Sequence, residues 1–80
     1  MKVHILAFGI TKDIVGGSTF ELQMEEGANV RQLKKDLQQH YPAFKDLASL
    51  AIAVNNEYAS EELVIKASDE IVLIPPVSGG

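Results

Sequence analysis

The side chains that usually carry chemistry are few in this chain, and their spacing scatters them. There is no cysteine, which excludes thiolate nucleophiles, thiolate metal ligands and disulfides. His4 and His40 lie far apart; one reads as a strand-surface residue, the other as a helix end, and they have no metal-ligand spacing. The carboxylates pair as Glu61-Glu62 and Asp69-Glu70. Adjacent residues on a turn point apart, so these read as solvated charge rather than an acid/base pair. Gly16-Gly17-Ser18 lacks the P-loop lysine and the dinucleotide spacing, and reads as a turn. Nothing in this body assembles a nucleophile, a base and an oxyanion site, and neither a metal nor a cofactor bound by the chain itself is expected.

The remaining candidate is the end of the sequence, Ile74-Pro75-Pro76-Val77-Ser78-Gly79-Gly80. Pro75 and Pro76 fix φ and favour an extended exit. Gly79 and Gly80 have no Cβ, so this segment can thread a narrow channel. Gly80 then offers a carboxylate. A carboxylate is a poor electrophile until it attacks the α-phosphate of ATP; a sulfur or nitrogen nucleophile can then displace AMP from the acyl-adenylate. The chain shows no phosphate site, so ATP binding is expected of an enzyme partner. Terminal glycines also arise by chance or as a linker scar. Here they follow an apolar run through Pro-Pro with no linker between.

The elements that must position such a tail form one small domain. Eighty residues support one limited core, and 46% hydrophobic residues make apolar packing its source of stability. The division expected is residues 1–74 as the domain and 75–80 as the tail. The net charge of −4, with no basic stripe, argues against nucleic acid. The run Val3–Ile10, broken by His4 and Gly9, reads as a strand rather than a signal peptide or membrane span. Absence of cysteine fits a reducing, cytoplasmic compartment.

Residues 2–8 alternate, with Val3, Ile5 and Ala7 on one face and His4, Leu6 and Phe8 on the other. That second face is still partly apolar, as if something covers it. Residues 10–15 read as a short helical turn or loop closed by Gly16-Gly17. Residues 18–25 form the clearest strand, with Phe20, Leu22 and Met24 inward. Asn29 and Gln32 have capping-box spacing, and Val30, Leu33 and Leu37 form a helical stripe that ends before Pro42. A short second helix follows over residues 43–50, anchored by Phe44 and Leu47. Residues 50–54 read as a central strand, Asn55-Asn56-Glu57 as a turn and Tyr58-Ala59 as a small edge strand. Residues 63–65 are expected as a buried plug. Residues 71–74 form the last strand, with Ile71 and Leu73 inward and Val72 and Ile74 outward. The order predicts an α+β domain, with helices on one face of a mixed sheet and the first and last strands parallel at its centre.

The sequence resembles the molybdopterin synthase small subunits, the MoaD family. The resemblance spans essentially the whole chain and is strongest over Asp69–Gly80: an acidic turn, an apolar strand and a Pro-Pro-Val-Ser-Gly-Gly ending. Val54-Asn55-Asn56 matches a second family segment. Phe8, Lys12-Asp13 and Gly16 match a third, in which the family often has Arg-Glu; Lys12 keeps the charge but not the bidentate fork. The resemblance implies a β-grasp, ubiquitin-like fold with an extended C-terminal tail. It also implies that an E1-like enzyme, using ATP and magnesium, adenylates Gly80, and that a sulfur donor protein converts it to a thiocarboxylate. Pro75, Pro76, Val77, Ser78 and Gly79 would thread the tail into the large subunit. Gly80 would there give sulfur to cyclic pyranopterin monophosphate, within a heterotetramer of two small and two large subunits. Phe8, Lys12, Tyr58 and Ile74 would contact that partner. The chain alone would be non-catalytic and would bind no metal, nucleic acid or membrane. Two other functions share the fold: a carrier for thiamin, cysteine or tRNA thiolation, and a ubiquitin-like binding module whose tail is never activated.

Overall fold

The computed structural model describes residues 1–47 and 49–76. Strand β1 (Lys2–Ala7) leads into a short helix, α1 (Ile10–Val15), and returns as β2 (Thr19–Gln23). Helix α2 (Val30–His40) runs into a 3₁₀ turn over Pro42–Asp46. Strands β3 (Ala51–Val54) and β4 (Glu57–Tyr58) and, after a long loop, β5 (Glu70–Ile74) complete the chain. The sheet order is β2-β1-β5-β3-β4. β1 and β5 are parallel neighbours at its centre, and the other pairings are antiparallel. This is the β-grasp arrangement that the resemblance implies.

One face of the sheet is sealed. Val3, Ile5, Leu22, Ile52, Val54, Ile71 and Leu73 turn to it and join Val30, Leu33, Leu37 and Phe44 in one cluster. The α2 stripe is 0–1% exposed, and each such side chain is worth roughly 1.5–3 kcal/mol relative to exposure. Phe20 is half-buried on this face, edge-on to Tyr41 at 5.8 Å between centroids, and Tyr41 meets Phe44 in the same way at 6.1 Å. Asn29 caps α2, its side chain accepting the Gln32 N–H at 3.0 Å. The reciprocal half of the expected capping box does not form. The Gln32 side chain donates instead to Asp36 one turn on, at 3.0 Å. Tyr41, ahead of Pro42, has φ −134° and ends the helix.

The expected plug over residues 63–65 is a strap. The Val30 N–H donates to the Leu63 carbonyl, the Arg31 N–H to the Glu61 carbonyl, and the Ile65 N–H to the Ala28 carbonyl. The first two bonds satisfy helix N-terminal donors that would otherwise lack partners. With its carbonyls committed to the helix, the strap leaves Leu63 and Val64 41% and 50% exposed; Ile65 alone enters the core. Arg31 holds the strap from outside, bonding Glu61 at 3.1 Å and Glu62 at 3.2 Å, while Lys34 reaches Glu61 at 3.6 Å. These cations hold the Glu61 carboxyl below its ordinary range.

Candidate functional site

The same alternation that fills the sealed face presents the other face to solvent, because no element of the described chain crosses it. Register fixes its pattern. Thr19, Leu6, Val72, Ala53 and Tyr58 are successive partners across all five strands, a row spanning about 19 Å at ordinary strand spacing. Ile74 and Ala51 pair in the next row. Two residues from the first row in the opposite direction, Glu21, His4 and Glu70 pair as a polar row, with His4 Nδ1 3.3 Å from a Glu21 carboxylate oxygen. Polarity therefore changes along the strands. The charged end lies where β5 begins, and the apolar end lies where β1 and β5 finish. Tyr58 is 77% exposed and Phe8 54%. Leu6, Val72 and Ile74 are half-buried, and Ala53 is buried outside the core cluster.

Among the described residues no group of three or more His, Asp or Glu could hold a metal ion, and no helix is long and apolar enough to cross a membrane. His40 ends α2, exposed. Glu61 and Glu62 hold the strap. Asp69 is a turn residue: its carboxylate accepts the Lys66 N–H at 2.8 Å and the Asn55 side-chain amide at 2.9 Å, which keep it below its ordinary range. Gly16 closes α1 in a left-handed conformation, φ +84°, confirming the turn.

The structure brings Ile74 onto the open face and places Tyr58 on its far edge strand. Phe8 directly follows β1. Lys12 is exposed on α1, four residues beyond Phe8. Val77, Ser78, Gly79 and Gly80 lie outside the described residues. Pro75 and Pro76 are half-buried, so both still pack against the domain. The Pro75 ring lies over Gly9, with its Cγ 3.2 Å from where a Cβ on Gly9 would stand. Sequence reasoning did not assign Ala51, Ala53, Ile10 or Gly9 to this region. Ala51 and Ala53 belong to it through pairing with Ile74 and Val72, which periodicity within one strand does not reveal. Ile10, 46% exposed, was legible only as a large apolar residue outside either face pattern.

Residues 5–80 match the ThiS family. The chain belongs to the ThiS/MoaD family. It is 35% identical to the molybdopterin synthase sulfur carrier subunit of Dictyostelium discoideum, over 99% of this chain and 96% of that one. Among solved structures it superposes on a putative molybdopterin converting factor subunit 1 from Pyrococcus furiosus with a TM-score of 0.87. That pair is 29% identical and covers 96% of this chain and 99% of the other. It also matches a chain from the complex of subunits 1 and 2 of the molybdopterin-converting factor of Helicobacter pylori, with a TM-score of 0.67 and 27% identity over 100% of both chains.

Proposed function

We propose that this chain is the sulfur carrier subunit of a molybdopterin synthase. The observation that carries the reading is the coincidence of two features at one end of the sheet. The unsealed apolar rows through Leu6, Val72, Ile74 and Tyr58 lie where β5 runs out into Pro75-Pro76. A partner seated on that face receives the tail directly, so docking and delivery share one geometry. The family resemblance and the named relatives support a large-subunit partner; Phe8, Tyr58 and Ile74 supply apolar contacts and Lys12 a cation at the rim.

In this reading the Gly80 carboxylate attacks the α-phosphate of ATP, held with magnesium by an E1-like enzyme, and pyrophosphate leaves. Sulfide-level sulfur supplied by a donor protein then displaces AMP, leaving a thiocarboxylate with no change of oxidation state. In the large subunit that sulfur passes to cyclic pyranopterin monophosphate. The large subunit supplies the catalytic side chains, and this chain supplies the reactive end and its placement. The assembly holds two copies of each subunit.

The test has two stages. Incubation of the full chain with an E1-like enzyme, ATP, magnesium and a sulfur donor should add the mass of one oxygen-to-sulfur exchange at the C-terminus. The thiocarboxylated chain, mixed with a molybdopterin synthase large subunit, should convert cyclic pyranopterin monophosphate to the dithiolene. No mass change would identify a binding module instead. A mass change without conversion would identify a carrier for another sulfur pathway.

A further inference from the structure

We propose that Gly9 is a positioning residue for the tail: it seats Pro75 and so sets the direction in which the chain leaves the sheet. The inference rests on the reading of Gly80 as the reacting end. Gly9 itself touches neither partner nor substrate in this scheme; it acts through Pro75.

Two independent features require glycine at this position. Its backbone has φ +56° and ψ −134°, a region that L side chains occupy only under strain. Its missing Cβ also leaves the space that the Pro75 ring uses, since an added Cβ would stand 3.2 Å from Pro75 Cγ. Gly16 and Gly27 also have positive φ, but an added Cβ would meet no atom within 4 Å at either. Those two serve turns; Gly9 serves a contact as well.

A collision at this point cannot be absorbed on the Gly9 side. Thr11 is completely buried, and its hydroxyl accepts the Phe8 N–H at 2.9 Å and donates to the Phe8 carbonyl. The Lys12 N–H holds the Gly9 carbonyl at 3.1 Å. Phe8 and Gly9 itself are thus tied into the first turn of α1. Pro75 must move instead, and its ring closes on its own backbone nitrogen, so moving the ring moves the chain. The five residues beyond Pro75 span at most about 17 Å. A small change of direction at their base therefore becomes a larger displacement at Gly80. Misplacement by about 1 Å can cost ~100-fold in rate.

The experiment is a double-mutant cycle on the full chain carrying a preformed thiocarboxylate on Gly80. Gly9→Ala, Pro75→Ala and the double variant are assayed in single turnovers with a molybdopterin synthase large subunit and cyclic pyranopterin monophosphate. Each single variant should lower the rate at saturating large subunit at least tenfold, while shifting the half-saturating concentration less than threefold. The double variant should be no slower than the slower single, because both changes remove the same seat. A saturated rate within twofold of the parent for Gly9→Ala, or losses that multiply in the double variant, overturns the proposal. Pro75→Ala lies outside the core cluster, so it probes the seat even if Gly9→Ala does not fold. If the parent chain donates no sulfur, the proposed function fails and the seat is read in the free chain by NMR. A Gly9–Pro75 ring contact in the parent, with Pro75 carbon shifts that move in Gly9→Ala while those of β2 hold, supports the seat. Unmoved Pro75 shifts sink it.

Discussion

The two faces of the sheet are built from the same strands and differ in what lies over them. On one, Val3, Ile5, Ile71 and Leu73 are at most 1% exposed beneath α2 and the strap. On the other, Leu6, Val72 and Ile74 alternate with them in the same two central strands and are only half-buried. Side-chain type barely separates the two sets, since both are aliphatic at the C-terminal ends of β1 and β5. The sealed face supplies stability, whereas the open face carries apolar area that the fold leaves uncovered, and a partner can claim it.

The largest expected effect is on the sealed face. Leu37→Ala, at a 0% exposed position, should cost about 2–5 kcal/mol and lower the melting temperature by about 10 °C or more. Tyr58→Ala on the open face should change stability by no more than about 0.5 kcal/mol. Equal losses by calorimetry would erase the distinction between the faces. Next comes the converse measurement. Phe8→Glu should weaken association with the large subunit by about 2 kcal/mol, roughly 30-fold, with the melting curve unchanged. Titration calorimetry at unaltered affinity would move the docking surface elsewhere.

A smaller effect tests how the sealing helix is held. Asn29→Ala removes the cap on the Gln32 N–H and should cost about 1 kcal/mol. Gln32→Ala should cost no more than about 0.5 kcal/mol, because its side chain makes no reciprocal capping bond. Urea melts that rank the two in the opposite order would contradict the one-sided cap. The smallest effect lies at the polar end of the open face, where the Asp69 carboxylate is held below its ordinary value of 3.8 by the Lys66 N–H and the Asn55 amide. A lowered folded value means that its stabilising contribution is fully present above about pH 4 and is lost as pH falls through the folded value. Parent and Asp69→Asn melting temperatures should therefore differ at neutral pH and converge at low pH. A gap that stayed constant would assign the difference to something other than the charge.

Local signals in the sequence were strong wherever one periodicity decided the matter. Val3-Ile5-Ala7, the Val30-Leu33-Leu37 stripe and the Pro42 stop all lie where their spacing put them. Asn55-Asn56 forms the expected turn, with φ +53° and +70°. Reading failed where a backbone group had a distant partner. Leu63 and Val64 looked like core because they are apolar, but the strap's carbonyls were needed by the first turn of α2. Gln32 stood at the capping distance, and Asp36 was the partner it found. The Pro75 contact was not legible because its partner is Gly9, which is distant in sequence and becomes adjacent only when β5 lies beside β1.

The sequence by itself determined which residues alternate and where α2 stops, and it singled out Gly80 as the candidate reactive end. Those properties depend on residue type and near neighbours, which the chain order contains directly. Tertiary structure alone decided that the apolar residues left over on four strands, Leu6, Val72, Ala53 and Tyr58, line up in one row, beside the Ile74–Ala51 pair from which the chain runs into Pro75. It also decided that Gly9 lies beneath Pro75. Each of these depends on strand register and on the parallel pairing of the first strand with the last, contacts between residues that the chain order keeps far apart.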